Sequence, residues 1–242
     1  VYGLHAVDAL LEGDAKVEEL LVQEGRRDRR MTQLLARAYA AKIPVRRVSR
    51  RDLDALVRGV HQGVVAACKE PMQERDEKWL LAALKDAESP LLLVLDGVQD
   101  PHNLGACLRS ADAAGALAVV VPRSRSPELT PTVRKAASGA AESMPLVRVG
   151  NLHRILKAMR DAGLWLVGAE AGAQDSLYEL DLCQPSLALV LGSEGEGLRR
   201  LSRECCDQLA RLPMQGAVSS LNVSVAAGVC LFEAGRQRRR SK

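Results

Sequence analysis

The sequence predicts an α/β protein: a small α/β domain, then a larger one built on a mostly parallel sheet. Three observations carry this expectation. From Leu91 onward, short apolar runs alternate with longer stretches of helical period, as in a sheet with right-handed crossover helices. Those runs carry no polar face, as strands covered on both sides require. Upstream, residues 69–88 contain a charged, proline-bearing stretch that reads as a linker between residues 1–68 and residues 89–242.

Within the first domain, Gly3 to Leu11 places Ala6, Val7, Leu10 and Leu11 on one helical face. Val17 to Val22 reads as a strand, Met31 to Ala41 as a helix and Pro44 to Val48 as a short strand. Arg51 to Val57 reads as a helix opened by Ser49 or Asp52, and Val64 to Cys68 as a closing strand. After a helical turn or two at Trp79 to Lys85, the strands of the second domain are Leu91–Leu95, Ala118–Val121, Leu146–Val149, Leu164–Val167, Leu187–Leu191 and Gln208–Leu212. Its helices are Asn103–Ala114, Pro131–Ala141, Asn151–Ala162, Leu198–Cys206 and Leu221–Gly235.

Composition narrows the function classes. The 242 residues are 47% hydrophobic and 26% charged, ordinary values for a soluble globular protein. No apolar run approaches the length of a membrane span, and no signal-peptide pattern opens the chain. Six cysteines without a Cys-x-x-Cys pair, and four scattered histidines, predict reduced thiols, a cytoplasmic setting and no metal site. The net charge of +4 is mild but clustered. Ten Lys or Arg lie between Gln23 and Arg51 against two acids, Glu24 and Asp28, and the tail adds Arg236, Arg238, Arg239, Arg240 and Lys242. Such clusters are footprints for a phosphate backbone, or else solvated faces. Aromatics at 2% argue against base-stacking RNA modules.

Three stretches carry chemistry. Asp96-Gly-Val-Gln-Asp-Pro-His-Asn103-Leu-Gly-Ala-Cys-Leu-Arg109 leaves the first strand of the second domain and enters a helix, where Asn103 suits a cap and Arg109 sits among Ala106, Leu108 and Ala113. An unpaired guanidinium there would be costly, so a structural ion pair is one reading of Arg109. The apolar run Leu189-Val-Leu ends in Gly192-Ser-Glu194-Gly-Glu-Gly197, delivering backbone and a carboxylate to a strand's carboxyl edge, where open α/β sheets bind ligands. Ser193 and Glu196 fit a capping box that does not need Glu194. Leu212-Pro-Met214 and Ser219-Ser220-Leu221-Asn222 follow, the latter where the last helix should begin. The glycine spacing is not that of a dinucleotide turn, no Walker sequence occurs, and no serine sits in a nucleophile elbow. His61, in Gly59-Val-His61-Gln-Gly63, either touches RNA or satisfies local backbone.

In these three ordered stretches the chain resembles the SpoU (TrmH-like) RNA ribose methyltransferases of the SPOUT superfamily over nearly its whole length. It is most similar to the subgroup that 2'-O-methylates a guanosine of large-subunit (23S) ribosomal RNA. The resemblance implies an L30e-like substrate-binding domain at residues 1–68 and a SPOUT methyltransferase domain at 89–242 whose C-terminal segment forms a trefoil knot. It also implies S-adenosyl-L-methionine (SAM) as cofactor and a homodimer formed through the apolar last helix. Catalysis falls to Arg109, Asn103, Glu194, Ser220 and Asn222, and SAM binding to Gly192, Leu212, Met214 and Leu221. The implied partner is 23S rRNA or a large-subunit precursor. Two other readings remain at this stage: a methyltransferase of transfer RNA, and a non-catalytic RNA-binding protein on the same fold.

Overall fold

The computed structural model describes residues 1–12, 17–57, 59–68 and 74–240, in two compact units. The first comprises α1 (Leu4–Glu12), β1 (Val17–Gln23), α2 (Arg29–Ala40), β2 (Val45–Val48), α3 (Arg50–Leu56) and β3 (Val64–Cys68). β1 is central, with β2 parallel on one side and β3 antiparallel on the other. Asp28 caps α2, and Ser49 with Asp52 forms a capping box on α3, so the first turns of both helices are satisfied by short polar side chains. Leu20, Val22, Met31, Leu34 and Ala66 form the core between helices and sheet. His61 is buried; its Nδ1 accepts from Gly63 N at 3.0 Å, which leaves Nε2 to donate to Asp54 at 2.9 Å. The histidine therefore braces its own loop.

The second unit begins at Glu74. Residues 69–73 of the expected linker lie outside the described residues, whereas Arg75 exchanges backbone hydrogen bonds with Leu146 and Arg148 and Asp76 caps α4 (Glu77–Asp86). Thereafter come β4 (Leu91–Asp96), α5 (Pro101–Ala113), β5 (Ala118–Pro122), α6 (Pro131–Ala137), α7 (Ala140–Ser143) and β6 (Leu146–Val149). The remainder is α8 (Leu152–Asp161), β7 (Trp165–Ala169), β8 (Asp175–Ser176), β9 (Leu187–Gly192), α9 (Arg200–Cys205), β10 (Gln208–Arg211) and α10 (Val223–Arg240). The single helix expected over 131–141 is broken at Ser138 (φ 51°) and Gly139 (φ 103°). Residues 138–143, which include α7, group with the first unit. A Cβ on Gly139 would stand 3.0 Å from both the Ala9 methyl and the His5 carbonyl oxygen, so the residue before α7 is packed closely against α1.

Seven strands form one sheet in the order β6-β5-β4-β9-β7-β10-β8, every pair parallel. β4 is buried throughout, as its unbroken Leu and Val run predicts. On one face α4, α8 and α9 cover Leu92, Val94, Val120 and Val190 with Leu80, Ile155, Leu156 and Met159. Against α5 pack α6 and α10. The order reverses direction at the middle of the sheet, where β9 is inserted between β4 and β7. Asp96 and Gly192, the last residues of β4 and β9, stand side by side in register there. A crevice at such a reversal, outside the carboxyl ends of the strands, is where open parallel sheets take ligands.

Candidate active site

Helix α5 starts earlier than its sequence suggests. Pro101 takes the first position, where its missing N–H costs nothing, and Asp100 caps the helix by accepting from His102 N at 3.0 Å. Asn103 is therefore not the cap, which frees its side chain for a distant partner. It donates through Nδ2 to Glu194 Oε1 at 3.0 Å. The same carboxylate oxygen accepts from Asn222 Nδ2 at 2.7 Å and from Val223 N at 3.2 Å. Asn222 Nδ2 also donates to Asn103 Oδ1 at 2.9 Å, while Asn222 Oδ1 accepts from Ser224 N and Oγ at 2.9 and 2.6 Å. Asn222 thus caps α10 and ties it to α5 and to the glycine loop in one bracket.

An amide nitrogen carries two hydrogens and an amide oxygen two lone pairs. Asn222 uses all of them within the protein. Asn103 keeps one N–H and one lone pair uncommitted. On Glu194, Oε2 takes part in none of these bonds.

The loop carrying Glu194 is not helix punctuation. Ser193 and Gly197 exchange backbone hydrogen bonds at 3.2 and 3.0 Å, and α9 begins only after Arg199, without a side-chain cap. Ser193 and Glu196 accordingly form no capping box. Gly192 makes this closure possible: an added Cβ would lie 2.0 Å from the Gly197 carbonyl carbon and oxygen. At the base of the loop, the fully buried Asp96 carboxylate accepts from Arg199 N at 3.2 Å and from Arg199 Nε at 2.5 Å. The sequence reading passed over this pair, although an acid ending an otherwise apolar strand was the signal for it.

Two cavities flank the bracket. One, of about 290 Å³, is lined by Gly192, Leu212, Met214, Ser220 and Leu221, all expected at the site, and by Glu170, which was not. Glu170 follows β7, which runs two residues beyond the expected Val167, and it holds Arg203 at 3.0 Å. The other cavity, of about 330 Å³, is lined by polar groups that include Asp100, Asn103, Arg125 and Arg199. Ser193, Glu194, Glu196 and Val223 line both. Leucine and methionine side chains beside loop backbone outside any helix or strand are suited to a nucleoside: apolar surface covers a base, and free backbone groups read its edge. Just behind the bracket, burial and then the Glu194 charge push the Cys107 thiol up to about 12, so it is inert packing.

Arg109 is placed elsewhere. It is exposed, and it lines neither cavity. Six residues of helix rotate it roughly 240° from Asn103 and carry it about 9 Å along the axis. The expectation of a cation held inside an apolar helix is thus overturned: Leu104, Cys107, Leu108 and Ala111 form the packed face, while Ala106 and Ala113, three and four residues from Arg109, share its outward side. The last helix is apolar beyond its packed face. Val223, Ala227, Cys230, Leu231 and Ala234 are buried, whereas Val225 and Phe232 are 51% and 50% exposed.

The SpoU rRNA Methylase family matches residues 90–232, and the RNA 2'-O ribose methyltransferase substrate-binding family matches residues 1–74. The 23S rRNA (guanosine-2'-O-)-methyltransferase RlmB of Pseudomonas aeruginosa is 57% identical over 240 residues, covering 98% of this chain and 96% of its own. The same enzyme of Pseudomonas putida is 55% identical, again over 98% and 96% of the two chains. Among solved structures, the SpoU methyltransferase AviRb from Streptomyces viridochromogenes in complex with AdoMet superposes with a TM-score of 0.79 at 28% identity, over 99% of this chain and 90% of its own. An AdoMet-bound rRNA methyltransferase from Sinorhizobium meliloti gives 0.76 at 27%, over 98% and 86%. The chain belongs to the SpoU rRNA methylase family.

Proposed function

We propose that this protein transfers the methyl group of SAM to the ribose 2'-oxygen of a guanosine in 23S rRNA. The observation that carries the reading is the Asn103–Glu194–Asn222 bracket, standing on the wall between an apolar cavity and a polar one. Gly192, Leu212, Met214 and Leu221 would hold the cofactor, with the backbone near Leu212 and Leu221 reading the adenine and their side chains covering it. When bound, SAM supplies a methyl group on a sulfonium, an excellent leaving group, so the chain's task is alignment and proton handling.

Asn103 performs the alignment. Its uncommitted N–H and carbonyl lone pair lie on the polar side of the bracket and orient the ribose hydroxyls. Ser220, exposed on the loop before α10, holds the neighbouring phosphate. Asn222 acts one step back, fixing the amide plane of Asn103. As the 2'-oxygen bonds to the methyl carbon and the carbon–sulfur bond breaks, the hydroxyl proton passes to Glu194 Oε2. Arg109 enters the mechanism through the family resemblance, as a cation stabilising the developing alkoxide. A guanidinium stays protonated, so it is not the base.

A homodimer, a cytoplasmic setting and a knotted C-terminal segment belong to the same reading. The exposed Val225 and Phe232, with the half-exposed Val229 between them at helical spacing, support association through α10. Among the described residues no helix is long and apolar enough to cross a membrane. The insertion of β9 between β4 and β7 returns the chain to the middle of a formed sheet, as a knot would require.

The test is methyl transfer from labelled SAM to protein-free 23S rRNA, to a large-subunit precursor and to transfer RNA, with the product mapped by 2'-O-methyl sequencing. One methylated guanosine in 23S rRNA, missing in cells without the protein, is the expected result. Label entering transfer RNA alone would replace this substrate with the runner-up.

A further inference from the structure

The polar cavity contains more charge than ribose positioning needs. Of its charged groups, Asp96 and Arg199 neutralise each other, Glu194 is held by the bracket, and Asp100 caps α5. Two remain: Arg125 and Glu196, each exposed on its own loop and, among the described residues, engaged by no other side chain.

The Arg125 turn is rigidly built. It is a single 3-10 turn, Arg123–Arg125, following β5. Beneath it lies the buried guanidinium of Arg148, which donates to Arg123 O at 3.0 Å, Ser126 O at 3.3 Å and Pro127 O at 3.0 Å, and pairs with Glu74 at 3.2 Å. Burying an arginine is expensive unless its donors are filled, and here they are filled by the carbonyls of this one turn. The turn that presents Arg125 is thereby preorganised before any ligand arrives. Glu196 is presented from the other side by a loop closed through Ser193 and Gly197.

We propose that Arg125 and Glu196 form a guanine-reading pocket, which selects the base whose ribose is aligned by Asn103. The inference rests on the methyltransferase reading above. Guanine offers two adjacent donors, N1–H and the 2-amino group, which a carboxylate accepts together, and two acceptors, O6 and N7, which match a guanidinium fork. Adenine and cytosine place a ring-nitrogen acceptor where the carboxylate would sit. Uracil offers one donor between two acceptors. Guanine alone among the four bases thus gives the carboxylate two adjacent donors and the guanidinium two adjacent acceptors at once, and extruded bases in RNA are read by such edges.

The experiment compares target RNA carrying guanosine, inosine (no 2-amino group) or 7-deazaguanosine (no N7) at the methylated position, with labelled SAM. Wild-type protein should lose about 10-fold in kcat/KM on inosine and on 7-deazaguanosine, the size of one lost polar contact in a polar site. Glu196→Ala should be slower on guanosine, and its guanosine-to-inosine ratio should fall to within about two-fold. Arg125→Ala should collapse the ratio for 7-deazaguanosine in the same way, with SAM affinity by calorimetry unchanged because Arg125 lines only the polar cavity. Because each ratio is taken within one variant, any effect of Glu196 on SAM binding cancels. Active variants that keep the wild-type ratios would overturn the pocket while leaving the methyltransferase reading intact. A wild-type protein unable to methylate the guanosine RNA would overturn both.

Discussion

Asn222 donates to the amide oxygen of Asn103 at 2.9 Å, joining positions 119 residues apart in the chain. One of the two asparagines is saturated by the protein and the other is not, so their substitutions should differ in kind. Asn103→Ala should lower kcat by about 10²-fold, with SAM affinity and melting temperature almost unchanged. Asn222→Ala should lower kcat and also uncap α10, at a cost of about 1 kcal/mol. Thermal melts with single-turnover assays separate the two, and equal melting losses would contradict the division.

Gly192→Ala is expected to be far worse than its one added methyl suggests. The Cβ meets backbone, which cannot rotate away, so the loop must open. SAM binding should disappear and the melting temperature should fall. Near-native SAM affinity in calorimetry would show that the loop closes in another way.

Arg199→Ala leaves a fully buried carboxylate without its cation. The Arg199 side chain is 36% exposed, so solvent already weakens the pair, and a loss of about 2–3 kcal/mol is expected, below the full cost of breaking a buried pair. Asp96→Asn with Arg199→Ala together should recover part of it. Denaturant melts of the single and double variants measure the coupling.

Arg109→Ala tests a catalytic assignment that stands outside both the cavities and the Asn103–Glu194–Asn222 bracket. Turnover should fall by about 10²–10³-fold at unchanged SAM affinity if the cation stabilises the alkoxide. Melting curves of the variant provide the folding control. Arg109→Lys should rescue little where a planar fork is needed. Turnover near the wild-type rate would remove Arg109 from the mechanism.

Val225→Glu places a charge on the exposed stripe of α10. Light scattering at micromolar concentration should report about twice the 26.1 kDa chain mass for the wild type and a smaller mass for the variant. A fully active wild-type monomer would exclude association through this helix.

Much of the second unit was legible because its strands are Leu and Val runs that only a doubly covered sheet can hold, and because its ligand loops follow those runs directly. What escaped the reading depends on partners distant in sequence. Asn103 looks like a cap until Asp100, three residues earlier, takes that place. Asp96 and Arg199 lie 103 positions apart, so no local pattern announces their pair. Arg109 was misplaced for a related reason: alanines around a cation say that one face is packed, not which one. The two-residue strand Asp175–Ser176 has no apolar run at all and is held in the sheet by Ala210 and Arg211.

The short excursion at residues 138–143 bears on how this protein can be recombined. A gene fusion joining the first 73 residues of one relative to the remainder of another would be seamless in sequence. Yet it would pair α1 from one lineage with α7 from the other. Gly139, at the start of that segment, packs so closely on the Ala9 methyl and the His5 carbonyl that even one added methyl would press on both. A chimaera that inherits residues 1–73 and 138–143 from the same parent should fold where the simple two-piece graft fails. The unit of exchange is a discontinuous pair of segments.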